Sequence, residues 1–169
     1  MEHQLKLYST GYANYRTYLL AVIFVCGNVL LPQLCHQVEL GGPTWLPIYF
    51  FTLIGAYKYG PKVGLLTAVA SPIINSLFFG MPLLSAVFVI TVKSVLLAIA
   101  AGYAAERFKK ASLLILATVV MTYKLVGTAI EWLVVRDFYT AIQDFRIGLP
   151  GMMVQVMLGW YMINVVMRK

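Results

Sequence analysis

Charge is what this sequence has least of: Asp, Glu, Lys and Arg make up 11% of its 169 residues, against 61% hydrophobic ones. A soluble domain carries about 25% charged residues, so most of this chain belongs in lipid, and the mean hydropathy of +0.83 agrees. Cysteine is scarce as well. Cys26 and Cys35 lie nine residues apart, about 13 Å along a continuous helix and beyond the ~7 Å a disulfide tolerates. They read as small buried hydrophobes, with contact of Cys35 and His36 to a soft metal or a corrinoid as the minority alternative. Two adjacent donors fall short of a closed site, and the other histidine, His3, lies far away in sequence.

Catalytic motifs are missing too. There is no Walker-type phosphate loop, no HExxH, no GxSxG and no pair of carboxylates at one site, so neither an enzyme nor a resident cofactor is expected. Met1 to Thr10 is polar and charged, without the apolar core of a cleavable leader, and the mature chain is expected to begin near residue 1.

What is there are apolar segments of spanning length, about 20 residues each. They predict one integral membrane domain over residues 1–169, with helices at about 15–34, 45–57, 62–79, 83–105, 112–135 and 149–167. The loop from Cys35 to Thr44 carries a Gly-Gly-Pro breaker, and Arg136 to Gly148 reads as a polar loop. The second segment is short for a span.

The net charge of +7 would suggest nucleic acid in a soluble protein, but here its placement matters more. Lys6, Arg16, Lys58, Lys62, Arg107, Lys109, Lys110, Arg168 and Lys169 fall at one set of segment ends, and only Arg136 and Arg146 fall at the other. Cytoplasmic loops carry the excess of Lys and Arg. The expected fold class is therefore an all-α membrane protein of six transmembrane helices with both termini cytoplasmic and no nucleic-acid partner. The short second segment is kept as a span because removing it would put Lys58 and Lys62 outside.

Ionisable groups inside spans are costly and mark functional sites by default. Lys93 lies in the middle of the fourth segment, Lys124 in the middle of the fifth, and Glu131 seven residues later on nearly the same face, with Thr128 between. Asn28, Asn75 and Gln155 add amides in the outer halves of their segments. Two lysines facing one carboxylate leave a positive charge, which an anionic ligand would balance; internal pairing or snorkelling of a lysine along its stem is the competing explanation. Trp45, Tyr49, Trp132 and Tyr139 gather at the outer boundary, as an aromatic belt or as walls for a ring-bearing ligand. Small residues at four-residue spacing (Ala13, Thr17 and Ala21; Gly64 and Ala68; Ala98 and Gly102; Ala101 and Ala105) allow close helix contact, and the first line is a candidate docking face for a second protein.

The stretch from Leu46 to Pro82 carries a resemblance. A Pro-Ile-aromatic start (Pro47, Ile48, Tyr49), the turn Gly60-Pro61-Lys62-Val63-Gly64, then Ser71-Pro72 and the loop Gly80-Met81-Pro82 resemble the substrate-binding S component of energy-coupling factor (ECF) vitamin transporters. The resemblance implies a six-helix protein of a bacterial or archaeal cytoplasmic membrane that binds a vitamin or related micronutrient on the extracellular side. It also implies partners, a transmembrane T component and two cytosolic ATPases. Carried over, Lys93, Lys124, Glu131 and Gln155 are pocket candidates and Gly80, Met81 and Pro82 form a lid loop; Asn75, Trp45 and Trp132, from their place towards the outer side, complete the substrate-binding candidates. Ala13, Thr17 and Ala21 stand where the family docks its T component, with threonine in the middle position. Tyr49 stands where many relatives have histidine. The competing expectations are a membrane scaffold of the MreD type, which needs no pocket, and a self-sufficient ion-coupled carrier.

Overall fold

Eight α-helices and no strand follow one another among residues 11–167, the residues that the computed structural model describes. His3, Lys6, Arg168 and Lys169 lie outside the described residues. Five helical stretches are long and apolar enough to cross a membrane: Tyr15–Cys35, Pro61–Phe79, Leu84–Phe108, Leu113–Val135 and Leu149–Val166. The architecture is that of an all-α, multi-pass membrane protein.

Local chemistry sets the helix ends. Asn14 caps α1 (Tyr15–Cys35) by accepting the Arg16 N–H at 3.0 Å, satisfying one of the amides that the first turn leaves without a helical partner. Gly60, at φ 95°, ends α3 (Phe50–Tyr59), and Pro61 begins α4 (Pro61–Phe79) where a missing amide hydrogen costs nothing. Gly80, at φ 67°, closes α4 in the left-handed region that glycine alone enters freely. Ser112 caps α6 (Leu113–Val135), which follows α5 (Leu84–Phe108) after a tight basic turn. The Tyr57 hydroxyl donates to the Lys110 carbonyl at 2.7 Å, which brings the α3–α4 and α5–α6 turns to the same end of the bundle. Lys58, Lys62, Arg107, Lys109 and Lys110 therefore share that end.

The helix expected over 45–57 is not continuous. Gly41–Trp45 forms a one-turn helix, α2; Leu46 takes a left-handed conformation at φ 50°; Pro47–Tyr49 makes a 3-10 turn; and α3 starts only at Phe50. Pro47 lacks the amide hydrogen that a continuous helix would need there, and the left-handed residue before it turns the chain. The ten residues of α3 extend about 15 Å, half the ~30 Å hydrocarbon core. Every residue from Thr52 to Lys58 is buried, because α1, α4, α5 and α8 (Leu149–Tyr161) surround it.

The segment expected as a polar loop between Arg136 and Gly148 is a helix, α7 (Phe138–Ile147). Asp137 caps it, accepting the Tyr139 amide at 2.9 Å and the Thr140 hydroxyl at 2.6 Å. Its charged residues mask the pattern in which Ala141 and Phe145, four apart, face the protein while Tyr139 is exposed. After α8 the chain continues through a π-helical turn, Met162–Val166.

The small-residue line on α1 is used within the chain. Ala13 precedes the helix and is exposed, whereas Thr17 is buried with its hydroxyl donating to the Gly11 carbonyl at 2.8 Å. Ala21 is buried among Phe24, Phe50, Ile54 and Val63. Within this chain Thr17 and Ala21 are thus largely covered, while Ala21 also borders an open groove along α1 with Tyr18, Val22 and Val25. Gly64, Ala68, Ala98, Ala101, Gly102 and Ala105 are likewise buried; a Cβ on Gly64 would strike Ala56, so α3 and α4 depend on that glycine for their contact.

Candidate binding site

Lys93 on α5 and Lys124 on α6 come together near the middle of their helices, where α7 reaches them from the end opposite the basic turns. The Lys93 Nζ donates to Glu131 Oε2 at 2.7 Å and to Asp144 Oδ2 at 2.6 Å, and the Lys124 Nζ donates to the same Asp144 oxygen at 2.9 Å. Two ammonium groups thus meet two carboxylates. The expectation of an uncompensated positive charge is corrected by Asp144, which lies on α7 in the stretch read as a loop. Its contribution was hidden because the pairing joins residues 51 and 20 positions apart in the chain. A signal was present: Asp137 is a helix cap, and from it the helical period puts Asp144 on the inward side with Ala141 and Phe145.

Burial grades the four groups. The side chains of Lys93 and Lys124 are 3% and 0% exposed, Glu131 13% and Asp144 30%. Burial opposes the charge on Asp144, but the ammonium groups of Lys124 and Lys93 outweigh it and hold the carboxyl below the usual carboxylate range. Two glycines make room: a Cβ on Gly127 would lie 2.6 Å from Lys93 Cγ, and one on Gly148 would lie 3.1 Å from Lys124 Nζ. Breaking a buried ion pair by removing one partner costs about 3–5 kcal/mol, so the tetrad holds α7 against α5 and α6.

Gln155 on α8 is buried one step away. Its Oε1 accepts the Tyr123 hydroxyl at 3.1 Å and its Nε2 donates to the Leu46 carbonyl at 3.4 Å. Tyr123 precedes Lys124, and its ring packs on Tyr49 at 5.5 Å between centroids. Asn75 belongs to a different cluster. It donates to the carbonyls of Asn28 and Ser71 at 2.9 and 3.0 Å, and accepts from Gln33 at 3.3 Å. Asn28 in turn donates to Thr52 and Ser71 and accepts the Phe51 amide at 3.0 Å, capping the first turn of α3 from another helix. With its donors and acceptors engaged, this network locks α1, α3 and α4 together.

The aromatic and lid candidates lie on the surface. Trp132 is half-exposed and meets Phe138 edge-on at 5.4 Å, covering the start of α7. Trp45 is half-exposed at the end of α2, its backbone packed by Gly151. Gly80, Met81 and Pro82 form the turn between α4 and α5, with Met81 exposed and a cis bond before Pro82. Cys26 and Cys35 are free thiols. Among the described residues no three His, Cys, Asp or Glu side chains gather as a metal site.

No protein-family model matches this chain, and neither a curated protein nor a solved structure does.

Proposed function

We propose that the chain is the substrate-binding membrane subunit of an importer of the ECF type, taking up a vitamin or related small micronutrient. In this reading the bundle crosses a bacterial or archaeal cytoplasmic membrane six times, with α3 and the turns before it counted as the second crossing. The basic turns face the cytoplasm, and the end with α2 and α7 faces outward. A T component and two cytosolic ATPases supply the energy, since this chain has no phosphate-binding loop.

The observation that carries the reading is the tetrad of Lys93, Lys124, Glu131 and Asp144. Four charges gathered inside an apolar bundle are expensive unless they serve a site, and Asp144 joins the others from α7, on the side away from the basic turns, from which a ligand from outside would arrive. Gln155 and Tyr123 extend the polar lining towards α8. No bond is made or broken by this chain; binding and reorientation by partners suffice.

The scaffold reading draws on one observation, that the tetrad is charge-balanced by the chain's own residues. Native mass spectrometry of protein purified from its own membranes separates the two. A stoichiometric small molecule is expected; a bare chain, with no shift of melting temperature across a panel of vitamins, would leave the scaffold.

A further inference from the structure

The geometry points to Asp144 as an exchangeable placeholder: α7 is a lid whose carboxylate marks the anion position between Lys93 and Lys124, and a ligand carboxylate enters by taking that position as α7 moves aside. The inference rests on the binding-subunit reading of the tetrad and adds to it the class of ligand and the way in.

The four members are not held alike. Lys93, Lys124 and Glu131 sit on α5 and α6, two of the long apolar helices, and keep their places as long as the bundle stands. Asp144 comes from the ten-residue α7 and is the most exposed of the four. One of its oxygens serves both ammonium groups, at 2.6 and 2.9 Å, so a single anionic oxygen defines the position. Among the described residues Glu131 pairs with Lys93 alone, and it stays on the wall of the site.

Charge balance selects the ligand. Exchange of one carboxylate for another keeps two positive and two negative groups together, so no buried charge is stranded. A neutral or cationic ligand in that position would strand an ammonium group. A phosphate dianion would add a negative charge beside Glu131. The fitting head group is thus a single carboxylate. Thr128 lies four residues after Lys124 and three before Glu131, on the same face of α6, and its hydroxyl oxygen is buried without a hydrogen-bond partner. It is an unused donor on the face of α6 that carries Lys124 and Glu131.

The test uses the full chain in lipid nanodiscs, with sodium acetate and sodium benzoate as probes against sodium chloride at equal ionic strength. Asp144→Asn keeps the shape of the side chain but releases the anion position. Its melting temperature is expected to rise with either carboxylate at concentrations about tenfold lower than the wild type requires, a difference of ~1.4 kcal/mol, and Lys124→Gln added to it is expected to abolish the response. An Asp144→Asn protein that melts alike in carboxylate and in chloride overturns the inference. Should that variant not fold, hydrogen exchange of residues 138–147 in the wild type decides: faster exchange in benzoate than in chloride supports the lid, and equal exchange overturns it. The two readings fail separately. A carboxylate response in a protein that retains no nutrient removes the importer and keeps the placeholder, whereas a retained nutrient without a carboxylate, and no probe response, does the reverse.

Discussion

Gly127 on α6 lies against the stem of Lys93 on α5, so close that a Cβ there would stand 2.6 Å from Lys93 Cγ. The contact lets Lys93 reach both Glu131 and Asp144 from a buried position. Gly127→Ala is expected to push the Lys93 stem aside and to lower stability by about 1–3 kcal/mol, the usual cost of overpacking. In a helix the same change on its own favours alanine by roughly 1 kcal/mol. A thermal melt in detergent decides the sign, and a raised melting temperature would show that the stem has room to move.

The two lysines are not equivalent. Among the described residues Lys93 holds both carboxylates, whereas Lys124 holds only Asp144, which Lys93 still reaches. Both Lys93→Met and Lys124→Met break buried pairs, at a cost of about 3–5 kcal/mol, and Lys93→Met is expected to be the more damaging because it leaves Glu131 without its cation. Denaturation of the two variants side by side checks the order; equal losses would mean that Glu131 is hydrated and needs no partner.

Asn28 ties three helices. Replacing it with alanine strands the Phe51 amide and removes the donor to Thr52 and Ser71. A buried group left unsatisfied costs about 1–3 kcal/mol. Asn28→Ala is therefore expected to melt several degrees below the wild type while the salt-bridge tetrad, on other residues, still answers to Asp144→Asn. Loss of both together would show that the two clusters act as one.

Acid should release α7. The Asp144 carboxyl is held below its ordinary range by Lys124 and Lys93 against the effect of burial. A depressed folded-state pKa gives stability that is present above the unfolded carboxylate pKa and disappears as pH falls through the lower, folded value. Hydrogen exchange in residues 138–147 is therefore expected, after correction for the intrinsic rate, to gain its protection loss only on the acid side of the usual carboxylate range. Asp144→Asn should lack that acid limb; an identical limb in the variant would show that Asp144 is not its source.

The turn at Gly60-Pro61, the breaker at Gly80 and the five long apolar helices were legible along the chain, because caps, missing amide donors and hydropathy act within a few residues. The depth of Lys93 and Lys124 followed from the same counting. The division of 45–57 was less legible, since a helix of only ten residues is sustained by the four helices packed around it, which no local pattern reveals. The inward turn of Thr17 and Ala21 was not legible either: a spacing of four marks one helix face without saying what lies against it.

Residue order and composition by themselves determined that this chain belongs in a membrane, where its long helices break, and that two lysines lie near the middle of such helices with a glutamate towards the end of one. Tertiary structure alone decided that Asp144 is the fourth charge, that the set is balanced, and that Asn75 serves Asn28 instead of the tetrad. Burial in lipid is a sum over neighbours in sequence, but the partner of a buried charge is whichever group the fold brings within 3 Å, however far along the chain it lies.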